Sequence, residues 1–282
     1  MTRSIFTLGV VAAALSLATA AHAAPSVEVR DAVARVVVTP EARQDIQVDI
    51  LTTNPSLPLT IRTDGDLVII DGDLDRSIRS CRARGERSSV TVSGVGEVAY
   101  ADMPQVVIRT PMAVDLKVGG AVFGVVGRSK SLKIANAGCG EWTLANISGK
   151  LDATLAGSGD MRAGAASAAA LRLAGSGDMA VRQVSGPLAV DLAGSGDVKV
   201  ATLTGSSLKV NLAGSGDVEV AAGKVDAMSA SVTGSGDVRF DGEARSLQAA
   251  IVGSGDIRVR EVTGAVNRSV IGSGDIRVGE PS

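Results

Sequence analysis

The sequence predicts an all-β fold, a single-chain parallel β-solenoid of about ten or more coils with about 19 residues in each. First, the motif Gly-Ser-Gly-Asp occurs seven times, beginning at Gly157, Gly175, Gly194, Gly214, Gly234, Gly253 and Gly272. Second, apolar and polar residues alternate on both sides of each copy, which is the pattern of a strand with one buried face. Third, no single coil can bury that face alone, so the coils must stack on one another.

Residues 1–23 predict a secretory signal peptide. An apolar run extends from Ile5 to about Leu17, and Ala21-His22-Ala23 forms a small-x-small cleavage pattern. We therefore expect cleavage after Ala23 and a periplasmic or secreted protein. No later stretch approaches the ~18 to 20 apolar residues that a membrane span needs, so we expect no membrane span.

Residues 24–90 lack the repeated turn but are also strand-like. The stretches "ARVVVT", "DIQVDI", "PLTIRT" and "DLVII" are separated by Pro, Asp and Gly turns. We expect irregular first coils here, followed by the regular solenoid over residues 91–282, so that residues 24–282 form one domain. Weaker copies of the turn, at Gly94, Gly120 and Gly138, extend the repeat towards the N terminus.

One coil shows how the repeat is built. Before the turn at Gly214, the apolar residues Leu208, Val210 and Leu212 alternate with polar residues, and Val218 continues the alternation after the turn. A second glycine turn closes each coil. In the last coil Arg268 takes the position of Val210, which predicts that this coil is partly open to water.

At this point the residues resemble a known family. "RVVVTPEARQDIQVDI", "LVIIDGDL" and the repeated "AGSGDV" and "VGSGDI" are similar to the bacterial proteins called putative auto-transporter adhesin, head GIN domain. The resemblance covers nearly the whole chain after the signal peptide. It implies a right-handed β-helix and a link to adhesion through shape, and it implies no catalytic site.

The repeated turn places one carboxylate in each coil, and we call this row the Asp ladder. Its members are Asp160, Asp178, Asp197, Asp217, Asp237, Asp256 and Asp275. Stacked aspartates are calcium ligands in some repeat proteins, whereas glycine and Asp together also favour a plain turn. Carboxylates ~4.8 Å apart repel by about 1 kcal/mol per pair in water.

A row of cations two residues after these aspartates offsets that repulsion, and we call it the basic ladder. It consists of Arg162, Lys199, Arg239, Arg258 and Arg277, and the exceptions are Ala180 and Glu219. We expect Glu219 to lie between Lys199 and Arg239 of the neighbouring coils. The two ladders favour a structural role for the turn, with a calcium-stabilised protein as the alternative.

Two further features lie outside the repeat. Cys81 and Cys139 are an even number of cysteines in an exported chain, which predicts a disulfide bond; two unpaired thiols are the alternative. The arginine segment, residues 76–87, predicts a solvated loop or a cover for a strand edge. Contact with anionic envelope surfaces is its functional alternative. Its arginines are Arg76, Arg79, Arg82, Arg84 and Arg87.

These observations predict a non-catalytic envelope protein with an adhesion-like or scaffold-like surface. The only histidine, His22, lies in the signal peptide, and the carboxylates follow the repeat instead of clustering. We expect no catalytic residue, no cofactor and no metal, and a mildly acidic charge disfavours nucleic acid as partner. The partner is an unknown envelope or extracellular component. The alternatives are a calcium-stabilised secreted repeat protein and, less favoured, a polysaccharide-active β-helix enzyme. The sequence does not indicate an oligomeric state.

Overall fold

The computed structural model describes residues 24–279 as a parallel β-solenoid, which confirms the predicted fold class. The predicted signal peptide, residues 1–23, lies outside the described residues. Strands of successive coils pair side by side, and their inward aliphatic side chains form one continuous core. About nine coils of roughly 19 residues make up the regular part.

The N-terminal part contains eight strands and one 3-10 turn. They are β1 (Ser26–Glu41), β2 (Gln47–Thr52), β3 (Thr60–Asp64), β4 (Leu67–Asp71), β5 (Ile78–Arg82), β6 (Ser89–Val92), β7 (Gly96–Ala99), the turn Tyr100–Asp102, and β8 (Gln105–Pro111).

The regular coils are formed by the remaining strands. They are β9 (Ala113–Val126), β10 (Ser131–Gly138), β11 (Trp142–Leu144), β12 (Lys150–Gly157), β13 (Met161–Ala166), β14 (Ala168–Gly175), β15 (Met179–Val184), β16 (Leu188–Gly194), β17 (Val198–Gly214), β18 (Val218–Val220), β19 (Gly223–Gly234), β20 (Val238–Gly253), β21 (Ile257–Val262), β22 (Val266–Gly272) and β23 (Ile276–Val278).

Each inward position forms a column of like residues that runs from coil to coil. Leu155, Leu173, Leu192 and Leu212 are successive partners in one such column, and each is at most 2% exposed. A fully buried aliphatic side chain contributes roughly 1.5 to 3 kcal/mol before the entropy cost of ordering. Because a shift by one residue would turn every column outward, the alternation fixes the register of the stack.

The first glycine of the repeated turn is required for two reasons. Gly157 has a φ of 151°, a conformation that L side chains rarely adopt. A Cβ at this position would also lie 2.5 Å from the carbonyl oxygen of Gly138, its counterpart in the preceding coil. The turns therefore stack backbone on backbone, which explains why glycine recurs at each of them.

The N-terminal layers do not follow the order of the chain. Strand β1 bends at Asp31 (φ 49°) and provides both sides of one coil. It pairs with β4 and β8 on one side and with β9 on the other, in parallel throughout. The strand that comes first in sequence thus lies inside the stack. Strands β2 and β3 pair antiparallel with β8 and β4 and form the N-terminal cap.

Residues 72–104 leave the stack between β4 and β8, and we call this segment the excursion. Strands β5, β6 and β7 form a separate antiparallel sheet there. The prediction that Gly94 marks a coil is wrong, because Gly94 lies in the hairpin between β6 and β7. Its sequence, GVGEV, provides the tight turn of a hairpin and not the stacked turn of a solenoid.

One hydrophobic cluster extends from Val27 to Ile276. The division into one domain over residues 24–282 remains a prediction. At the other end, all seven residues of β22 are exposed. Arg268 is among them and belongs to the column of Val210, as predicted for a coil that is partly open to water.

Candidate binding surfaces

The Asp ladder is bonded from coil to coil. The backbone N–H of each aspartate from Asp178 to Asp275 donates a hydrogen bond to Oδ1 of the aspartate one coil earlier, over 2.8 to 3.2 Å. One carboxylate oxygen in each coil therefore satisfies a backbone donor of the next coil. This bond occurs six times in succession and links the turns along the whole ladder.

Four cations of the basic ladder contact the aspartate two residues before them. The nitrogen-to-oxygen distances are 3.7 Å for Arg162 with Asp160, 3.3 Å for Lys199 with Asp197, 2.8 Å for Arg258 with Asp256, and 2.9 Å for Arg277 with Asp275. The hydrogen bond that Lys199 donates to Asp197 raises the pKa of the Lys199 ammonium above its usual value.

Arg239 is the exception to the predicted pairing. Its Nε donates to Asp241, 2.8 Å away, instead of contacting Asp237. Asp241 takes the outward position that is Ala221 in the preceding coil, and it replaces Asp237 as the partner of the arginine. The hydrogen bond from Arg239 to Asp241 raises the pKa of the guanidinium. Glu219 lies between Lys199 and Arg239 in the register, as expected.

These contacts satisfy the ladder carboxylates within the polypeptide. Oδ1 accepts from a backbone amide and, in four coils, Oδ2 contacts a cation. Across residues 24–279, no three His, Cys, Asp or Glu side chains form a group that could hold a metal ion. The structural role of the ladder remains a prediction, and the hydrogen bonds along the turns support it.

The predicted disulfide between Cys81 and Cys139 is confirmed. Cys81 lies on β5, and Cys139 replaces the serine of the turn that follows β10; their Cα atoms are 6.0 Å apart. The same turn makes a second contact with the excursion, a hydrogen bond of 2.9 Å that the Gly85 amide donates to Glu141 Oε2. The excursion is thus fixed to the side of the first regular coils. A disulfide is typical of an extracytoplasmic protein.

The five arginines of the arginine segment are all exposed. Arg79 and Arg82 lie on strand β5, and Arg82 contacts Glu97 of β7 over 3.5 Å. Arg76 contacts only its neighbour Asp75, over 3.8 Å. Within the part of the chain that the structure describes, Arg84 and Arg87 have no carboxylate within 4.0 Å. The structure therefore presents this row of guanidinium groups largely unpaired.

The sequence did not reveal a shallow groove on the outer face of the after-turn strands. Small apolar side chains, three cations and one carboxylate line it, and the volume is about 350 Å³. The alanines include Ala180, Ala201 and Ala221, and the charged residues are Arg162, Arg182, Lys199 and Glu219. One residue in the sequence could have indicated this groove. It is Ala180, which stands at a position of the basic ladder where most coils have a cation.

Comparison with known proteins relates the C-terminal coils to one family. Residues 166–281 match the family described as putative auto-transporter adhesin, head GIN domain. The resemblance to this family is confirmed over these coils. The matched residues contain six of the seven Gly-Ser-Gly-Asp turns. A comparison with curated protein sequences found no match.

Two solved structures are similar to this chain. One is a putative lipid binding protein from Parabacteroides distasonis, with 19% identity, a TM-score of 0.48, and coverage of 90% of this chain and 93% of that chain. The other is a putative adhesin from Bacteroides fragilis, with 18% identity, a TM-score of 0.40, and coverage of 90% and 92%. Within residues 24–279, no helix is long and apolar enough to cross a bilayer.

Proposed function

We propose that this protein is a non-catalytic exported envelope protein whose solenoid carries an adhesion-like or scaffold-like binding surface. The mature protein begins after Ala23 and is periplasmic or secreted. The family match over residues 166–281 and the Cys81–Cys139 disulfide support this proposal. The partner is an envelope or extracellular component with anionic groups, such as phosphates or carboxylates.

The observation that carries the proposal is the distribution of unpaired charge. Within the repeat, cations and carboxylates mostly contact one another or the backbone of the next coil. The arginine segment departs from this pattern, because it brings five arginines together with a single acid, Glu86. Guanidinium groups bind phosphate and carboxylate oxygens through two parallel hydrogen bonds, so a row of them fits an anionic surface.

The excursion also presents these arginines on a rigid support. Val90, Val92 and Val98 are at most 5% exposed and pack in a second hydrophobic cluster under the small sheet. Phe123 of β9 joins this cluster and meets Tyr100 edge to face, with ring centroids 5.7 Å apart. A surface that is ordered before binding loses less entropy when the partner binds.

The test is binding of the purified mature protein to isolated cell envelopes. Replacing Arg76, Arg79, Arg84 and Arg87 with glutamine leaves the disulfide and the Arg82–Glu97 pair intact. Loss of four charge contacts, each worth about 0.2 to 1 kcal/mol, should weaken binding by roughly tenfold or more. Wild-type binding should also fall as salt increases.

The matched control replaces four arginines elsewhere on the surface, Arg128, Arg172, Arg245 and Arg260, with glutamine. This variant loses the same charge and should bind envelopes nearly as well as the wild type. Equal losses in both variants would show that binding depends on net charge alone and would contradict the proposed surface. Cross-linking in cells, followed by mass spectrometry, identifies the component that is bound.

A further inference from the structure

Large exposed apolar side chains collect at the two ends of the solenoid. Nine large hydrophobic residues are exposed among residues 24–279, and six of them lie at the ends. The N-terminal cap exposes Leu51 (58%) and Ile61 (42%). In the last two coils Val266 and Val270 belong to columns that the middle buries, while Val252 and Ile271 are exposed on the outward face. Exposed apolar residues that collect in one place indicate an interaction surface.

Each end also offers two strand edges with unpaired backbone groups. At the cap, β2 pairs only with β8, and β3 only with β4, among the residues described. At the other end, β22 pairs only with β20, and β23 only with β21. A free edge is a template on which another strand can pair. Strands in the regular coils between the ends have a partner on both sides.

The register of the stack brings matching residues to the two ends. Followed from layer to layer, the column of Val270 at the C-terminal end reaches Ile61 in the cap. On the other side of the coil, the column of Ile276 reaches Ile50. If one copy followed another without a shift in register, apolar residues would meet apolar residues on both sides.

Charge decides which two ends meet. Arg268 is an inward cation at the open end, and its column leads to Thr63 in the cap, next to Asp64 and close to Asp66. Two C-terminal ends brought together would place Arg268 against the same residue of the other copy. An inward charge prevents pairing with an unsuitable edge. The cap of a second copy instead provides Asp64 and Asp66 near this arginine, while Arg62, the other neighbour of Thr63, contacts Asp71 over 3.7 Å.

We propose that this protein associates end to end, with the open C-terminal coil of one copy seated on the N-terminal cap of the next. Strand β22 pairs with β3 of the second copy, and β23 pairs with its β2. The two surfaces are different, so the contact is head to tail and leaves a free end on each copy. Association therefore continues beyond the dimer as concentration rises.

The experiment is sedimentation velocity of the purified mature protein at concentrations from 1 to 100 µM. This range detects association with a micromolar dissociation constant. A cap variant carries Leu51→Lys and Ile61→Lys, and a tail variant carries Val270→Glu and Ile271→Glu. Each variant alone should be monomeric at 100 µM. An equimolar mixture of the two should form a one-to-one dimer and stop there, because only one cap and one tail remain intact.

The matched control carries Met112→Lys and Val125→Lys, which replace exposed apolar residues in the middle of the solenoid, and should assemble like the wild type. Circular dichroism and the melting temperature verify that every variant is folded. Arg268→Asp should weaken association at least tenfold, and combining it with Asp64→Arg and Asp66→Arg should restore most of the loss.

Three outcomes would overturn the proposal. A wild-type protein that stays monomeric at 100 µM would show that the open coil does not bind a second copy of this protein. Dimers of the cap variant alone would show contact between two C-terminal ends. Association that both variants retain would place the interface on another surface.

Discussion

The regular coils from β9 to β23 and the N-terminal part from β1 to β8 share one core but are specified differently. In the coils from Gly157 onward, every turn repeats the same glycines and aspartate, so each of these coils has only its sequence neighbours as suitable partners. In the N-terminal part, apolar and polar residues alternate equally well along the strands. No repeated turn there decides which strand lies beside which. Alternation alone therefore forms strands, and the repeated turn sets their order in space.

Deletions should separate these two kinds of specification most strongly. Removing residues 195–214 joins Gly194 to Ser215, restores a Gly-Ser-Gly-Asp turn and keeps the columns in register. We expect this variant to fold, with a modest fall in melting temperature. Removing only residues 205–214 deletes the second part of β17, which is half a coil, and should abolish cooperative unfolding. Circular dichroism and thermal melts compare the two deletions, and equal stability would contradict the solenoid register.

Removing β1, residues 26–41, tests the other region in the same way. Strand β1 is the layer that lies between two neighbours, the strands β4 and β8 on one side and β9 on the other. Without it the cap and the excursion lose their support. We expect N-terminal unfolding while the coils remain protected in hydrogen exchange. Uniform loss of protection along the chain would show that the two regions unfold as one unit.

The disulfide should come next in size. Replacing Cys81 and Cys139 with serine removes a closed loop between residues 58 apart in sequence, which the entropy model values at ~4 kcal/mol. The loss should be local to the excursion, because the coils beyond β11 make no contact with Cys81. Limited proteolysis should cut within residues 72–104 first. First cuts within the coils would contradict this local role.

Glycine substitutions compare a stacked turn with a hairpin turn. Gly214→Ala places a Cβ against the Gly194 backbone at a φ of 141°, and we expect a loss of about 3 kcal/mol or more. Gly94→Ala meets no atom within 4 Å at a φ of 80°, so its loss should be about 1 to 2 kcal/mol. Urea denaturation measures both values. A larger loss for Gly94→Ala would reverse the comparison.

A smaller effect is expected from the Asp ladder. Asp217→Asn with Asp237→Asn keeps the Oδ1 acceptor for the next amide, so the loss should stay near or below 1 kcal/mol. Chelator and millimolar calcium should leave the melting temperature of the wild type unchanged. A metal that bound only the folded protein at a hundredfold excess over Kd would add about 2.7 kcal/mol. A rise with calcium that the double variant abolishes would make these aspartates ligands.

The last prediction concerns acid and the N-terminal part. The hydrogen bonds that Arg30 donates to Asp71, over 2.7 and 2.8 Å, hold the pKa of that carboxyl below its usual value of 3.8. Since the folded pKa is lower than the unfolded one, this stabilisation is present above about pH 4 and is lost as pH falls through the folded pKa. The melting temperature of the wild type should approach that of Asp71→Asn as the pH falls below 4 and passes through the folded pKa. A difference that does not shrink as the solution is acidified would contradict the assignment.

The sequence predicted the features that depend on local or repeated chemistry. Alternation identified the strands, the glycine turns identified the stacking, and the two cysteines identified the disulfide. Arg268 revealed the open coil because a charge replaced an apolar residue in a known column. The place of β1 between β4 and β9 could not be predicted, since three parallel edges with similar aliphatic faces were equally suitable partners.

The candidate surfaces were harder to predict. The arginine segment was visible as a cluster, but its support on the sheet of β5 to β7 was not, because GVGEV resembles the repeated turn. Arg239 contacts Asp241 instead of Asp237. Among the repeated coils, only this one has an aspartate at that outward position, so the repeat could not predict the contact. The three alanines of the groove come from three successive coils, so the sequence of any one coil does not indicate the groove.

The position of β1 has a consequence for how the chain reaches its folded state. In the coils, pairing joins residues about one coil apart, such as Val198 and Val218, whereas in β1 Val27 pairs with Leu116. Contacts between residues far apart in sequence form slowly, because a long loop must close before they contribute. When the chain folds from its N terminus, β1 is available first, yet it finds both neighbours only once β9 is present. Residues 26–112 therefore remain open until then, and closure of the stack around β1 is expected to set the folding rate.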